Sequence, residues 1–114
     1  LLGSFTSGTQ IQYMLLEERR EEAIVIEHMW FEELTPRNIT VFVKNIGVRE
    51  AKIEIVYIQS EPIKTYNGTN VMPYTLMVGE RAAFRLTYAW ISGTTYQIVV
   101  GTARGNQARA TWVA

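Results

Sequence analysis

Three pairs of adjacent glutamates and one histidine are the side chains of this 114-residue chain whose types could do chemistry. The pairs are Glu17/Glu18, Glu21/Glu22 and Glu32/Glu33, and the histidine is His28. Paired carboxylates can act as general acid and base, and a histidine can act as a base or bind a metal. The glutamates, however, alternate with arginines or flank a strand end, which is typical of a solvated face.

No other residue type completes a catalytic or metal-binding group. The chain has no cysteine, which removes thiolate catalysis, disulfides and sulfur-ligated zinc, and a lone histidine does not make a nitrogen-rich metal site. His28 has no serine or aspartate in motif spacing, and no glycine-rich loop opens a helix to hold phosphate. We therefore predict that the chain is not an enzyme and has no catalytic, cofactor-binding or metal-binding residues.

Composition indicates one soluble globular domain, with 47% hydrophobic and 19% charged residues. Eleven basic and eleven acidic residues cancel, and no stretch clusters lysine or arginine, so the electrostatic pattern of a nucleic-acid-binding protein is missing. No run approaches the roughly 20 apolar residues of a membrane span. The chain opens at Leu1 on an apolar, small-residue stub, which suggests a piece cut from a longer protein whose upstream part could include an anchor helix.

Two tripeptides have the form of N-glycosylation sites, at Asn38 (Asn-Ile-Thr) and Asn67 (Asn-Gly-Thr). Each lies where a strand begins or a loop is expected, as an acceptor asparagine requires. Such tripeptides also arise by chance. They favour an extracellular location.

An amphipathic helix is predicted from Thr9 to Glu22. Ile11, Met14 and Leu15 recur on one side, and charges of opposite sign lie three residues apart in the run that ends the segment. The helix could be a stalk from an anchor or a solvated helix that packs on the domain. Residues 1–22 are thus one region, and the domain proper is 23–114.

The rest of the chain has the pattern of an all-β domain, with short apolar runs separated by Gly, Asn, Pro and Ser. About seven strands are expected, over Ala23–Glu33, Asn38–Lys44, Ala51–Gln59, a weak element Met72–Met77, Arg81–Tyr88, Thr95–Thr102 and Gln107–Val113. The segment from Ser60 to Asn70 is the least strand-like and is expected to be an exposed loop.

Tyr96 decides the fold class. It begins a strand entered through a glycine corner at Trp90-Ile-Ser-Gly-Thr-Thr-Tyr96, which is the tyrosine corner of immunoglobulin-like sandwiches. In that corner the phenol bonds to upstream backbone while the ring joins the core. We predict an immunoglobulin-like antiparallel β-sandwich preceded by a short helix.

Side-chain alternation then divides each strand into an inner and an outer face. It places Trp30 and Tyr57 in the core. Several apolar residues fall on the opposite, outer parity, and four of them give the predicted partner or dimer interface, namely Phe42, Val56, Ile58 and Val99. A register error, or coverage by the N-terminal helix, would remove this surface. Tyr66, Tyr74, Tyr88 and Trp90 remain as aromatic residues that could stack on carbohydrate.

The segments "VFVKNIG" and "GTTYQIVVGTARGN", after a helical stub, resemble the soluble domain of the archaellum (archaeal flagellum) accessory proteins F and G. The resemblance covers roughly Ile11 to Val113 and is strongest from Tyr96 to Asn106. It implies a domain anchored by an N-terminal membrane helix and held between the membrane and the surface layer. A protein of this family is expected to act as a stator that binds surface-layer protein, often as a homodimer, beside other archaellum motor components.

Two other functions fit the same residues. Archaeal pilins and archaellins share the motif from Tyr96 to Asn106, so a filament subunit is one alternative. A carbohydrate-binding or adhesion module on a β-sandwich is the other. A filament subunit would form large polymers, and a carbohydrate-binding module would bind glycans and lose affinity on substitution of Trp90 or Tyr74.

Overall fold

The computed structural model describes residues 22–114 and contains eight strands. They are β1 (Ile24–Glu32), β2 (Asn38–Asn45), β3 (Ala51–Ile58), β4 (Glu61–Ile63), β5 (Tyr74–Leu76), β6 (Arg81–Thr87), β7 (Thr95–Thr102) and β8 (Gln107–Val113). No helix occurs in this part of the chain. Apart from Glu22, the predicted helix lies outside the described residues.

The strands form two antiparallel sheets, as an immunoglobulin-like sandwich requires. One sheet has the order β1-β2-β6, and the other has the order β4-β3-β7-β8 with β5 also paired to β3. The predicted all-β sandwich is confirmed, and β3 and β7 are neighbours in the second sheet. The one unpredicted strand is β4, which lies in the expected loop and joins β3 through a tight turn at Gln59 and Ser60, where φ is 51° and 66°.

Aliphatic side chains from both sheets form the core between them. Those with no exposed surface include Ile39, Val41 and Val43 of β2, Ile53, Val56 and Ile58 of β3, Phe84 and Leu86 of β6, and Ile98 and Val100 of β7. Full burial of a side chain of this size contributes about 1.5–3 kcal/mol relative to exposure. Strands β2, β3, β6 and β7 therefore carry most of the hydrophobic stabilisation.

One end of the sandwich is closed around Tyr96 and Trp90. The Tyr96 phenol oxygen accepts a hydrogen bond from the backbone N–H of Ile91 at 2.8 Å, which is the upstream bond that defines a tyrosine corner. The Trp90 indole N–H donates to the carbonyls of Glu32 and Asn38, both at 3.1 Å. These bonds tie the β6–β7 connection to the β1–β2 connection.

A β-bulge in β1 overturns part of the predicted side-chain directions. Ile26 pairs with Val43 and His28 pairs with Phe42, so Glu27 is an extra residue on β1. One extra residue moves every later side chain to the opposite face. Trp30, predicted in the core, is therefore 56% exposed, and its neighbour Met29 is buried instead.

A second irregularity, in β3, reverses the side-chain directions of two residues of the predicted interface. Ile53 pairs with Thr102 and Ile55 with Gly101, which leaves Glu54 as the extra residue. Beyond it, Val56 and Ile58 point inward and have no exposed surface, so their assignment to an outer face was wrong. Tyr57, predicted in the core, lies on the outer face and is half-buried.

Candidate functional site

The predicted four-residue interface does not form a single surface. Val56 and Ile58 lie in the core, as described above. Phe42 lies on the outer face of the β1-β2-β6 sheet, whereas Val99 lies on the outer face of the other sheet beside Tyr57 and Arg109. The two outer faces of a sandwich point in opposite directions. Only Phe42 remains part of an aromatic surface.

That aromatic surface consists of His28, Trp30, Phe42 and Trp112. The His28 ring lies 5.8 Å from the Phe42 ring and 5.2 Å from the Trp112 ring, the latter in a T-shaped arrangement. Trp30 follows His28 at the spacing that puts both on the outer face of β1. The β1 bulge therefore creates this surface, because without it His28 and Trp30 would point toward the core.

Trp30 is the exposed tryptophan of this surface, at 56%. A large aromatic side chain left in water contributes little to folding but contributes strongly to binding when a partner covers it. Phe42 is half-buried on the same sheet face, and the half-buried Trp112 reaches His28 from β8, a strand of the other sheet. The arrangement is an apolar platform with one exposed tryptophan.

An ion pair borders the aromatic surface on the same sheet face. Arg85 of β6 donates from Nε to Glu32 of β1 at 2.8 Å and makes a second bond from its NH2 nitrogen. This pair spans Thr40 of the central strand β2, which is 7% exposed as a result. The face thus combines an apolar area with a polar border, which is the usual anatomy of a protein interface.

The two glycosylation tripeptides occupy different environments. Asn38 is 1% exposed, and its amide Nδ2 donates to the Pro36 carbonyl at 2.9 Å. Asn67 is half-exposed in the β4–β5 connection, and its Nδ2 donates to the Asn38 Oδ1 at 3.3 Å. The Asn38 amide is part of the fold, so Asn67 is the more accessible of the two acceptors.

Glu22, the first described residue, is buried and bonds to the β7–β8 turn. The Glu22 side chain has no exposed surface and accepts hydrogen bonds from Thr102 Oγ1, from Arg104, and from Asn106 Nδ2 at 3.1 Å. Arg104 also donates to the Glu50 carbonyl at 3.0 Å. We call these four residues, Glu22, Thr102, Arg104 and Asn106, the carboxylate clamp.

The clamp holds Glu22 in its charged form. Burial alone would raise the pKa of this carboxyl, but the hydrogen bonds from Thr102, Arg104 and Asn106 and the charge of Arg104 outweigh it, so the pKa lies below its usual value. The pKa of Glu80 is also lowered, by the backbone N–H of Met77 and then by the Tyr74 phenol. Both carboxylates serve the fold as ionised hydrogen-bond acceptors.

The other predicted chemical groups are also placed in structural roles. Glu32 pairs with Arg85 while Glu33 is exposed, so this glutamate pair does not converge on a common site. Within residues 22–114, no group of three acidic, histidine or cysteine side chains could hold a metal ion. In the same residues, no helix has the length and apolarity to cross a bilayer. The remaining glutamate pairs lie wholly or partly outside the described residues.

Two of the aromatic side chains considered for carbohydrate binding make other contacts within the fold. Trp90 is 3% exposed and its indole N–H is occupied, as described above. The Tyr74 phenol donates to Glu80 Oε2 at 2.7 Å, and its ring packs against Phe84. Trp90 is therefore closed to a sugar, and the Tyr74 ring is half-buried. Trp30, which the strand alternation placed in the core, has the exposure that these residues lack.

Comparisons with known proteins agree with the predicted resemblance in fold. No protein-family model and no curated protein matches the sequence. Among solved structures, the archaellum periplasmic stator protein FlaG from Sulfolobus acidocaldarius is similar, with a TM-score of 0.60 and 16% identity, over 80% of this chain and 99% of that chain. The archaellum periplasmic stator protein complex FlaF and FlaG from the same organism is similar with a TM-score of 0.56 and 12% identity, over 78% of this chain and 87% of that chain.

The structural neighbours of this chain are archaellum stator proteins. At such low identity the likeness shows a common fold. It does not transfer any residue's role, so the aromatic surface and the carboxylate clamp stand on their own geometry.

Sequence reasoning missed both features for identifiable reasons. Glu22 ends a charge run that has the pattern of a solvated helix face, and its partners follow about 80 residues later, in the segment Gly-Thr-Ala-Arg-Gly-Asn. His28 was given no role. A usable signal was the adjacent polar pair Glu27-His28 inside an apolar strand, since that pair interrupts the alternation where the bulge occurs.

Proposed function

We propose that this chain is a non-enzymatic stator component of an archaellum, located outside the cytoplasmic membrane and anchored by a membrane helix that precedes Leu1. In this role it binds surface-layer protein and at least one other motor subunit. The observation that carries the proposal is the likeness of its fold to FlaG over 99% of that protein. The same likeness supports the proposed location, because that stator protein is periplasmic by its name.

The aromatic surface is the proposed contact with a second stator subunit. A protein complex of FlaF and FlaG shares the fold, which supports assembly of such domains with one another. Trp30 offers a large exposed ring, the aromatic area around it is apolar, and the Glu32–Arg85 pair supplies a polar border. These are the features that concentrate binding energy in protein interfaces. The second subunit is a copy of this chain in the homodimer and a related chain in a mixed complex.

The carboxylate clamp suits a part that must carry load. A stator passes the reaction torque of a rotating filament from its membrane anchor to a fixed lattice. In this chain the anchor side ends at Glu22, which is bonded to three side chains of the β7–β8 turn. Force on the N-terminal segment would therefore reach the hydrogen-bonded β7–β8 ladder through several bonds in parallel.

Binding measurements with the full 114-residue chain test the proposal. We expect the wild-type chain to bind purified surface-layer protein and to show a solution mass that rises with concentration toward a dimer. The Trp30→Ser variant should lower the dimer affinity by at least tenfold, since loss of an interface tryptophan costs about 2 kcal/mol or more. Leu34→Ser is the matched control, because Leu34 is 70% exposed in the β1–β2 connection away from the aromatic surface.

The outcomes separate the parts of the proposal. A monomeric chain that does not bind surface-layer protein would contradict the stator function. Equal affinities for Trp30→Ser and Leu34→Ser would contradict the assignment of the aromatic surface. Large polymers in place of dimers would favour the filament-subunit alternative.

A second candidate function is glycan binding, which one observation favours. An exposed tryptophan on a sheet face, as at Trp30, is the kind of side chain on which sugar rings stack. Binding of the chain to surface-layer glycans after removal of the protein component, lost in Trp30→Ser, would support this function.

A further inference from the structure

Four exposed aliphatic side chains lie together at the end of the sandwich where the described chain begins. They are Ile46 and Val48 in the β2–β3 loop and Met77 and Val78 in the β5–β6 loop, with exposed fractions of 55%, 75%, 57% and 52%. We call them the apolar tip. Single exposed apolar residues are ordinary, but a group of them at the same end of a domain indicates a contact surface.

The two loops of the apolar tip are fixed to each other by Asn45, which is fully buried. Its Nδ2 donates to the carbonyls of Arg49 and Leu76, both at 2.9 Å, and its Oδ1 accepts from the Gly47 N–H at 2.9 Å. Its backbone bonds to both Gly79 and Glu80. The apolar side chains therefore stand on a preorganised backbone, which reduces the entropy that a binding partner must overcome.

The N-terminal segment of the chain joins the domain at this same place. The backbone N–H groups of Ile46 and Gly47 both donate to the Ala23 carbonyl, at 2.9 and 3.1 Å. The carboxylate clamp fixes Glu22, the residue before it. Residues 1–21 therefore connect to the sandwich directly beside the apolar tip.

We propose that the apolar tip is the docking site for the chain's own segment 9–21. Ile11, Met14 and Leu15 recur at helical spacing, so a helix there would have an apolar face in need of a partner. In a helix, Leu15 would lie about two turns, or ~10 Å, from the fixed Glu22. Because the segment is tethered beside the tip, its effective concentration is on the order of millimolar.

Docking at the tip would set the direction in which the N-terminal segment leaves the sandwich. The segment and the domain would then move as one body instead of turning about Glu22. This inference does not depend on the function proposed above, because it rests only on the tip, the clamp and the sequence of the segment.

Engineered cysteines test the inference cleanly, because the chain has none of its own. The full 114-residue chain with Leu15→Cys and Val48→Cys is oxidised with oxidised glutathione at low micromolar concentration. Two thiols form a disulfide only when their Cα atoms come within about 7 Å. We expect an intrachain disulfide to form in most molecules, measured as loss of free thiols and faster migration on a non-reducing gel.

The matched control is Leu15→Cys with Leu34→Cys. Leu34 is also exposed but lies at the other end of β1, roughly 30 Å from the tip for a strand of this length. Its disulfide should form at least tenfold more slowly. Equal rates for the two pairs would overturn the inference.

Two other occupants of the tip give different results. Disulfides between chains, with a yield that rises with protein concentration, would assign the tip to a second copy and overturn the inference. Binding to phosphatidylglycerol vesicles that Val48→Asp abolishes, without an intrachain disulfide, would assign it to lipid and overturn it too. As an independent readout, Val48→Asp should lower the hydrogen-exchange protection of Met14 and Leu15 amides by about tenfold.

Discussion

Removal of the Glu22 carboxylate should destabilise the sandwich far more than its position at the start of the domain suggests. In the folded protein its side chain has no exposed surface and accepts bonds from three side chains. Breaking a buried ion pair by removal of one partner costs about 3–5 kcal/mol. Arg104 keeps 30% of its side-chain surface exposed and a bond to the Glu50 carbonyl, so water can compensate it in part. We expect Glu22→Ala to cost about 3 kcal/mol, the lower end of that range.

Urea unfolding followed by tryptophan fluorescence measures this loss directly. For a domain of this size a 3 kcal/mol change corresponds to roughly 15 °C in Tm. Glu33→Ala is the matched control, since Glu33 is exposed and its substitution should change stability by less than about 0.5 kcal/mol. The double variant Glu22→Ala with Arg104→Ala should lose about 1–2 kcal/mol less stability than the sum of the losses of the two single variants.

Two results would refute this reasoning. A loss below about 1 kcal/mol for Glu22→Ala would mean that the clamp is formed but contributes little, as exposed ion pairs do. Additive single variants would mean that Glu22 and Arg104 do not interact in solution.

Three further predictions concern the register, acid stability and the acceptor asparagines. Ile58→Ala should cost about 3 kcal/mol in urea unfolding because the side chain fills the core; a change below 1 kcal/mol would place Ile58 on the surface after all. Because folding lowers the pKa of Glu22, this carboxylate contributes fully to the free energy of unfolding above the pKa of the unfolded state, about 4.3. The contribution is lost as the pH falls through the lower pKa of the folded state. The unfolding free energy of the wild type should therefore fall more steeply than that of Glu22→Gln as pH drops below about 4.3, and parallel curves would contradict this. Asn38→Ala should cost about 1–3 kcal/mol and Asn67→Ala much less, and mass spectrometry of the native protein should find any glycan at Asn67 and not at Asn38.

Regular alternation made most of the fold predictable from the sequence. In β2 and β7 the apolar residues recur at every second position, as at Ile39, Val41 and Val43, and Gly, Asn and Pro mark the turns on either side. Tyr96 then selected the immunoglobulin-like class because a tyrosine corner needs a specific residue at a specific place. These features are local, so one sequence is enough to find them.

The bulges in β1 and β3 could not be placed with alternation alone. The β1 bulge caused the error at Trp30, and the β3 bulge caused the errors at the predicted interface. A single extra residue reverses the faces of all that follow, so Val56 and Ile58 exchanged places with Ile55 and Tyr57. The sequence does carry a trace of this shift, because β3 alternates as far as Glu54 and then continues as the unbroken apolar run Ile55–Ile58. Such a run locates a bulge only after the pairing of the strands is known.

The candidate sites depend on contacts between distant parts of the chain. The aromatic surface requires the β1 bulge and the approach of His28 to Trp112, which are far apart in sequence. The clamp requires Glu22 to meet the β7–β8 turn. β4 exists only because Val56 and Ile58 offer their backbone to Glu61–Ile63. Such pairings are set by tertiary structure, which patterns of residue type within one segment do not contain.

Swimming motility of cells that carry single substitutions is the most direct test of the proposed stator function and its aromatic surface. The chromosomal gene is replaced by Trp30→Ser or by the control Leu34→Ser, and the amount of each protein is checked by immunoblot. Because Trp30 is exposed and outside the core, its loss should leave the protein folded and abundant. The account predicts that Trp30→Ser cells assemble filaments but do not swim, while Leu34→Ser cells swim normally. Normal swimming of Trp30→Ser cells would contradict it.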